Sequence, residues 1–242
     1  MANVNLKKVP KVNLTKNQVV CLTKDGSKNS SNLHKVFFGA NWSAIRRYRT
    51  EDYTPGFLGR LFGKKAETRK VVESIENVDL DASILMYDSN CRRVDVVYYG
   101  HKVSNCRAIS HSGDDVTGDS EDDEDDNETI SIDLDKVDQK VKFLVVILNS
   151  YRHHKFDEIP YAGLRIYTGK AGKPDEILAA YKVGNNPEFK GKEAMVLGYF
   201  YRTDSGWEFK ADGTSTPERS IAEMADGSAK SLIKSHSKYY GK

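Results

Sequence analysis

The chain has few of the residues that build covalent or metal-bound frameworks. Its 242 residues include only three cysteines, Cys21, Cys91 and Cys106, and these are widely spaced. An odd number of cysteines with no CxxC pair provides neither a disulfide framework nor a zinc site. No run approaches the roughly 18–20 apolar residues that a membrane span requires, and Met1–Lys11 is polar and lacks the apolar core of a signal peptide. We therefore expect a soluble, intracellular protein located in the cytoplasm.

Motifs of common enzymes are also missing. The sequence contains no HExxH pattern, no Gly-x-Ser-x-Gly nucleophile turn and no phosphate-binding loop. His111, His153 and His154 are the histidines near polar clusters, and His153 and His154 are interpreted as part of a polar loop rather than as ligands. Paired carboxylates can perform acid–base chemistry on a sugar, but that chemistry needs two groups with separated pKa values. The sequence therefore predicts a protein that is not an enzyme and has no small-molecule substrate.

What the chain has in excess is negative charge within one short segment. Ten carboxylates fall between Asp114 and Glu128, and a second pair, Asp79 and Asp81, lies upstream in an apolar stretch. Two like charges about 4 Å apart repel by about 1 kcal/mol even in bulk water, so the segment must either stay solvated or bind a cation. Acidic runs are most often solvated linkers. This run, however, is an internal loop flanked on both sides by strand-like segments, which favours cation binding.

The spacing of the upstream pair supports a metal site. In a strand, Asp79 and Asp81 project to the same side while Leu80 and Ala82 face the core. Calcium takes about six to eight oxygen ligands, whereas magnesium requires octahedral geometry and retains much of its water. The loop at 114–128 could supply further ligands if it folds over the pair. The sequence therefore predicts one or two Ca²⁺ ions at this position.

Short segments rich in β-branched and aromatic residues recur along the chain. Val19–Leu22 and His34–Trp42 are predicted to pair as a hairpin with a long loop, Val141–Leu148 to form a central buried strand, and Ser205-Gly206 to form a hairpin turn. Further strands are predicted at Ala82–Tyr87, Arg93–Tyr99, Ile130–Leu134, Leu164–Thr168, Ile177–Val183, Ala194–Tyr201 and Trp207–Ala211. The pattern predicts an all-β fold, a β-sandwich of two mostly antiparallel sheets with a C-terminal helix.

Two segments depart from the strand pattern. Residues 43–77 contain glycines and a basic stretch, and they are interpreted as a loop insertion. Pro217–Lys234 is predicted as a helix with Thr216 as its N-cap, although Gly227 weakens its middle, and Ser235–Lys242 as a frayed tail. The expected organisation is a sandwich over residues 1–213, with the acidic loop at 114–128, followed by a C-terminal helix and tail over residues 214–242.

The N-terminal third is basic. Residues 1–72 contain fifteen Lys and Arg residues against four Asp and Glu residues. Such a surface could simply be solvated, or it could contact the acidic loop, an anionic membrane or a phosphate backbone. The apolar and basic segment at 56–63 could pack on the core, touch a membrane or bind a partner. An alternative function is therefore a metal-independent adaptor for an acidic partner, an anionic membrane or a nucleic acid, with nucleic acid the least expected of the three.

Several motifs resemble those of the TerD family of bacterial tellurium-resistance and stress proteins. Three segments are similar to its Asp-Leu-Asp-Ala-Ser, Gly-Asp-Asn-x-Thr-Gly and Asp-Asp-Glu-x-Ile signatures, at Val78–Ser83, His111–Gly118 and Asp126–Ile130. Its Phe-x(5)-Ala-x(2)-Arg pattern is matched by Phe156, Ala162 and Arg165. The Gly-Phe-Leu-Gly-Arg-Leu-Phe-Gly segment at 56–63 resembles the TerZ-like branch. The resemblance covers most of residues 12–213.

The resemblance implies a calcium-binding β-sandwich, usually with two ions, in cytoplasmic proteins linked to tellurite, oxidative, phage and colicin resistance. It implies a non-enzymatic scaffold that works with other stress-resistance proteins, including at the inner membrane face as a peripheral protein. The candidate metal ligands that follow from the matching motifs and the acidic loop are Asp79, Asp81, Asp114, Asp115, Asp119, Asp126 and Glu128. Asp115 stands where the family has Asn, and a longer, glycine-free run at 119–126 replaces a glycine-rich core. The sequence therefore leaves open whether one ion or two bind.

Overall fold

The structure, a computed structural model, describes residues 12–13, 19–21, 34–57, 61–63, 65–120, 125–204 and 206–240. The strands in these ranges are β1 (Val12–Asn13), β2 (Val19–Cys21), β3 (Lys35–Trp42), β4 (Ile45–Tyr53), β5 (Glu67–Glu76), β6 (Leu80–Asp88), β7 (Arg93–Val97), β8 (Ile109–His111), β9 (Glu128–Asp133), β10 (Val141–Ser150), β11 (Ala162–Lys170), β12 (Lys173–Lys182), β13 (Ala194–Thr203) and β14 (Gly206–Thr216). The helices are α1 (Ile221–Asp226) and α2 (Ser228–Tyr240), with 3₁₀ turns at Phe156–Glu158 and Pro187–Phe189.

Twelve of these strands form two six-stranded sheets. Sheet A has the order β1-β12-β11-β3-β9-β8, and sheet B has the order β2-β14-β13-β10-β6-β7. Within the described residues, neighbouring strands are antiparallel apart from the parallel pair β1 and β12. The two sheets pack face to face over a shared apolar core. The all-β sandwich of two mostly antiparallel sheets with a C-terminal helix is therefore confirmed.

Strand β10 shows why a nearly continuous apolar sequence was needed at the centre of sheet B. It lies between β13 and β6. Its Leu144 and Val146 belong to the core between the sheets, whereas Val145 and Ile147 belong to a second core under α1 and α2. Because both faces are covered, both sets of side chains are buried. Each buried side chain contributes about 1.5–3 kcal/mol to the stability of the fold. The prediction of a central buried strand at Val141–Leu148 is confirmed.

The predicted hairpin between Val19–Leu22 and His34–Trp42 is wrong. Strand β2 pairs with β14 in sheet B, and β3 lies between β11 and β9 in sheet A. The residues that would have formed the connecting loop lie outside the described ranges. Alternating apolar residues identify a strand, but the partner of that strand is fixed by long-range packing.

Residues 43–77 are more regular than a loop insertion. Strands β4 and β5 pair with each other as an antiparallel hairpin, separate from the two large sheets. The β-branched and aromatic residues Tyr48, Val71 and Val72 suit this conformation. Most of the hairpin's side chains are exposed. The interpretation of the whole segment as a loop is therefore wrong for the two strands, and the turn between them is only partly described.

The C-terminal helix begins later than expected. Strand β14 continues to Thr216, so the N-cap is Ser220, whose hydroxyl accepts a hydrogen bond from the backbone N–H of Glu223 at 3.3 Å. The predicted start at Pro217 with Thr216 as N-cap is wrong. The expected weakness at Gly227 is confirmed, because this residue separates α1 from α2.

The predicted frayed tail is wrong as far as Tyr240, because α2 continues to that residue. His236 in α2 is buried, and its Nδ1 lies 2.8 Å from the hydroxyl of Tyr199 on β13. Burial among Phe143, Tyr199 and neighbouring cations lowers the pKa of His236 to about 4. This contact anchors the end of α2 to the outer face of sheet B.

Candidate metal centre

Three carboxylates meet at the start of β6. Candidate ligand oxygens of Asp79, Asp81 and Asp114 all lie within 4.8 Å of one another. Asp79 and Asp81 are only 3% and 2% exposed, whereas Asp114 is exposed. Leu80 and Ala82 between and after them point into the core between the sheets. The strand alternation expected from the sequence therefore aims both buried aspartates at the outer face of sheet B.

The cluster carries more negative charge than its surroundings neutralise. Burial, together with the nearby Asp114 carboxylate, raises the pKa of Asp79 to about 6, and Arg152 offsets this only in part from 3.6 Å away. Burial, together with the Glu128 and Asp79 carboxylates, raises the pKa of Asp81 to about 7. Buried carboxylates with raised pKa values favour either protonation or a bound cation. A divalent cation would satisfy all three side chains at once.

Asp81 also contacts a residue that the sequence did not single out. The side-chain amide of Asn149 on β10 donates a hydrogen bond to Asp81 Oδ2 at 3.1 Å, because the register of β6 and β10 places the two residues opposite each other. Asn149 is buried, and its Oδ1 has no hydrogen-bond partner among the described residues. No local sequence signal could have identified this contact, since it depends on strand pairing.

Glu128 lies behind the cluster and closes the edge of sheet B. Its Oε2 accepts a hydrogen bond from the backbone N–H of Ala82 at 2.9 Å, and His111 Nε2 lies 3.2 Å from the carbonyl oxygen of the same residue. Gly113 N–H donates to His111 Nδ1 at 3.1 Å, so Nε2 carries the proton. The two side chains thus replace a missing neighbouring strand, because β7 pairs with β6 only from Ile84 onwards.

The Glu128 carboxylate is fully buried and only half satisfied. Burial raises its pKa, although the hydrogen bond from His111 opposes that shift. Its Oε1 has no hydrogen-bond partner among the described residues. Glu128 is also one of the charges that raise the pKa values of Asp79 and Asp81. An unpartnered buried carboxylate oxygen near three other carboxylates fits a site that holds a cation.

Asp115 folds the acidic loop rather than joining the three carboxylates. Its Oδ1 accepts hydrogen bonds from the Thr117 and Gly118 backbones at 2.8 and 3.1 Å, and its Oδ2 accepts one from Asn127 at 2.9 Å. Burial acts to raise the pKa of Asp115, but the hydrogen bonds from Asn127 and Thr117 outweigh it and lower that pKa. Gly118 has φ +71°, and a Cβ there would meet Trp42 at 2.8 Å, so the turn requires glycine.

Asp119 contributes to the fold through its backbone. Its N–H donates to the Trp42 carbonyl at 3.0 Å, and its carbonyl accepts from the Ala44 N–H at 2.9 Å. These bonds attach the loop to the end of β3. Residues 121–124, which carry the densest part of the acidic run, lie outside the described ranges.

Asp126 lies in a separate buried ion pair. Arg165 Nε donates to its Oδ1 at 2.7 Å, and the Tyr167 hydroxyl donates to its Oδ2 at 3.0 Å. Burial raises the pKa of Asp126, while Arg165 opposes the shift. A Cβ at Gly39 would overlap the Asp126 carboxylate, so this glycine makes room for the pair. The structure therefore brings Asp79, Asp81 and Asp114 together and gives Asp126 a cationic partner elsewhere.

The fold and this acidic cluster define a β-sandwich with a candidate cation site, and the comparisons identify the family. The TerD domain model matches residues 11–227. Tellurium resistance protein TerZ of Serratia marcescens is 30% identical over 223 residues, which cover 92% of this chain and 100% of TerZ. Stress response protein SCP2 of Bacillus subtilis (strain 168) is 28% identical over 219 residues, covering 88% of this chain and 96% of SCP2.

A solved structure agrees at the level of the fold. A homologue of the telluride resistance protein TerD from Streptomyces coelicolor A3(2) matches with a TM-score of 0.56 and 19% identity, over 80% of this chain and 96% of that one. The chain belongs to the TerD family of tellurium-resistance and stress-response proteins, and it is TerZ-like. The recognition made from the sequence motifs is confirmed.

Proposed function

We propose that the protein binds one calcium ion through Asp79, Asp81 and Asp114 and acts as a non-enzymatic stress-response scaffold in the cytoplasm. The observation that carries the proposal is the meeting of three carboxylates within 4.8 Å of one another, two of them almost completely buried. A bound divalent cation would offset the burial and the repulsion that raise the pKa of Asp79 to about 6 and that of Asp81 to about 7. The assembly with other stress-resistance proteins, and a role in tellurite or phage resistance, follow from the family likeness and extend the proposal.

Calcium suits this donor set better than magnesium. Three carboxylates offer up to about six oxygens, and calcium accepts about six to eight of them in irregular geometry. Magnesium requires near-octahedral geometry and retains several waters. We propose one ion rather than two, since Asp126 is paired with Arg165 at 2.7 Å and Asp115 holds its own turn.

The groups around the cluster support a binding role rather than catalysis. The neighbouring His111 is held between the Gly113 N–H and the Ala82 carbonyl. A general acid or base needs freedom to reach a substrate proton. We therefore propose that the ion stabilises the acidic loop and so shapes the surface that a partner would contact.

Isothermal titration calorimetry on chelator-stripped protein tests the proposal. We expect calcium-selective binding with a stoichiometry near one, magnesium serving as the control ion. The Asp79→Asn/Asp81→Asn double variant should lose this binding. Asp133→Asn/Asp135→Asn is a matched control, because it removes two carboxylates near the end of β9 that lie outside the cluster. Unchanged binding in the first variant would refute the assignment of these ligands.

A specific observation favours a second candidate, association with an anionic membrane. In the turn between β4 and β5, Phe57, Leu61 and Phe62 are 80%, 69% and 82% exposed. Arg60, Lys64 and Lys65 lie in the same short stretch of sequence. Apolar side chains that enter the headgroup region, surrounded by cations that contact anionic lipids, are typical of peripheral membrane proteins. Among the described residues, no helix is long and apolar enough to cross a bilayer.

Vesicle co-sedimentation tests this candidate separately from the metal. We expect binding to phosphatidylglycerol-containing vesicles, in chelator as well as in calcium, and little binding to phosphatidylcholine vesicles. Phe57→Ser/Phe62→Ser should abolish it. Tyr48→Ser/Val72→Ser, which alters exposed side chains on the hairpin's strands, should retain it. Equal loss in both variants would argue against insertion of the turn.

A further inference from the structure

A cavity of about 780 Å³ opens beside the acidic cluster on the outer face of sheet B. Its wall is formed by β7, the end of β10 and the start of α1, and it includes Val96, Tyr151 and Ile221. The volume falls in the range of about 300–1,000 Å³ that is typical of small-molecule sites. Asp81 and Asn149 line this cavity. The candidate metal centre therefore borders an open cavity large enough for a small ligand.

The end of the cavity nearest the cluster contains one buried acceptor that lacks a donor in the described part of the chain. Asn149 donates through Nδ2 to Asp81, and its buried Oδ1 has no hydrogen-bond partner among the described residues. An unsatisfied buried acceptor costs about 1–3 kcal/mol. A ligand hydroxyl could donate to this oxygen, whereas an ionised carboxylate or phosphate could not. This end of the cavity therefore accommodates a group that can donate a hydrogen bond, such as a hydroxyl.

One wall of the cavity is aromatic. Tyr99 packs edge-to-face against Tyr98, with ring centroids 5.1 Å apart, and against Tyr151, with centroids 6.2 Å apart. Tyr151 is 59% exposed, so part of its ring remains available. A tyrosine ring offers an apolar surface to the C–H groups of a ligand and a hydroxyl at its rim. The wall therefore suits a ligand that is itself a ring.

The charges around the cavity argue against a strongly charged ligand. Arg93 and Arg219 line it away from the cluster, and they would repel a cation. Asp95 also lines it, away from the proposed ion, and it would repel an anion. Arg219 is itself paired with Glu193 at 2.8 Å. A neutral ligand avoids both repulsions.

We propose that the cavity binds a neutral, ring-shaped polyhydroxyl molecule whose neighbouring hydroxyls meet Asn149 and the ion at Asp81 while its ring lies against Tyr99 and Tyr151. The hydroxyl oxygens would fill calcium positions that the three aspartates leave open, since calcium accepts about six to eight ligands. The inference rests on the proposed calcium site and describes binding without turnover. Two sources share this chemistry, a saccharide and the ribose of a ribonucleoside.

Saturation-transfer difference NMR tests the inference on the full chain. The probes are the methyl glycosides of mannose, galactose and glucose, with adenosine and 2′-deoxyadenosine as the second arm. We expect signal from at least one probe in calcium and its loss in EGTA. Signal from adenosine that is lost in its 2′-deoxy analogue would identify ribose as the source, and signal from the glycosides a saccharide. Tyr151→Ala should abolish the signal, and Tyr53→Ala on the separate hairpin should preserve it.

Calorimetry on the same samples separates the two proposals. If calcium binds and no probe gives a signal, the ligand inference is overturned and the metal site stands. If neither binds, both are overturned. A signal of equal strength in calcium and EGTA overturns the role of the ion, and a signal that survives Tyr151→Ala overturns the location.

Discussion

Replacing Asp81 with Asn should stabilise the protein when calcium is absent and remove its response when calcium is present. The carboxylate is 2% exposed, and burial and the neighbouring Glu128 and Asp79 charges raise its pKa to about 7. In the unfolded chain the ordinary value is 3.8. The folded state therefore binds this proton more tightly than the unfolded chain does. The stabilisation that comes from the bound proton is complete below pH 3.8 and is lost as the pH rises through about 7.

The magnitude follows from the pKa difference. A shift from 3.8 to about 7 is roughly three units, equivalent to about 4 kcal/mol at about 1.4 kcal/mol per unit. Part of that cost belongs to repulsion shared with Asp79, so we expect Asp81→Asn to raise the free energy of unfolding at pH 8 by about 2 kcal/mol. The new amide can still accept the hydrogen bond that Asn149 donates to Asp81.

Urea unfolding at pH 8 measures the effect. Trp42 and Trp207 are buried, so their fluorescence reports on the core. The wild type should be less stable than the variant in EGTA, and should gain about 2.7 kcal/mol in calcium at one hundred times Kd, whereas the variant should gain little. Adding calcium should therefore reduce or reverse the difference in free energy of unfolding between the wild type and the variant.

Asp133→Asn is the matched control for this measurement. Asp133 pairs with Lys136 at 2.6 Å, and this pairing lowers its pKa, so its neutralisation should cost stability in both buffers, by less than about 1 kcal/mol. The reasoning is refuted if Asp81→Asn is no more stable than the wild type in EGTA. It is equally refuted if the variant retains the full calcium gain.

Three further predictions concern the same charges. In EGTA, the wild type should lose stability relative to the Asp79→Asn/Asp81→Asn variant as the pH rises from about 4 to about 7. Both aspartates keep protons in the folded state over this range, whereas the unfolded chain has lost them. Urea titrations at several pH values measure the difference in free energy of unfolding, and a difference that does not change with pH would contradict this. Arg152→Gln should tighten calcium binding up to about fivefold by calorimetry, because Arg152 lies 3.6 Å from Asp79 Oδ2 and competes with the ion; weaker binding would show that it helps instead. Arg165→Met should destabilise the protein by about 3 kcal/mol, since it leaves the buried Asp126 unpaired. Arg165→Met should leave the calcium stoichiometry unchanged. A changed stoichiometry would indicate that Asp126 is a calcium ligand.

Much of the secondary structure could be predicted because its signal is local. The period of two in a strand fixes which side chains share a face, so the orientation of Asp79 and Asp81 and the burial of both faces of β10 followed from neighbouring residues alone. The break in the C-terminal helix at Gly227 could be predicted for the same reason. The hairpin of β4 and β5 was missed because its turn is rich in glycine and charge and its strands carry few apolar residues.

Strand partners and the membership of the site depend on contacts between distant residues. Asp114 and Asp126 are both carboxylates of one acidic loop, yet one meets the buried pair and the other meets Arg165 on β11. Asn149 reaches Asp81 only through the register of β6 and β10.

The sequence by itself determined the strands, the acidic loop and the family motifs, because each is a pattern among near neighbours. Only the tertiary structure decided that Glu128 and His111 close the edge of sheet B, that Asp126 belongs to an ion pair, and that a cavity adjoins the cluster. The physical reason is that a charge is neutralised by whatever the fold places within a few ångströms of it, and that placement is set by the packing of the whole sandwich.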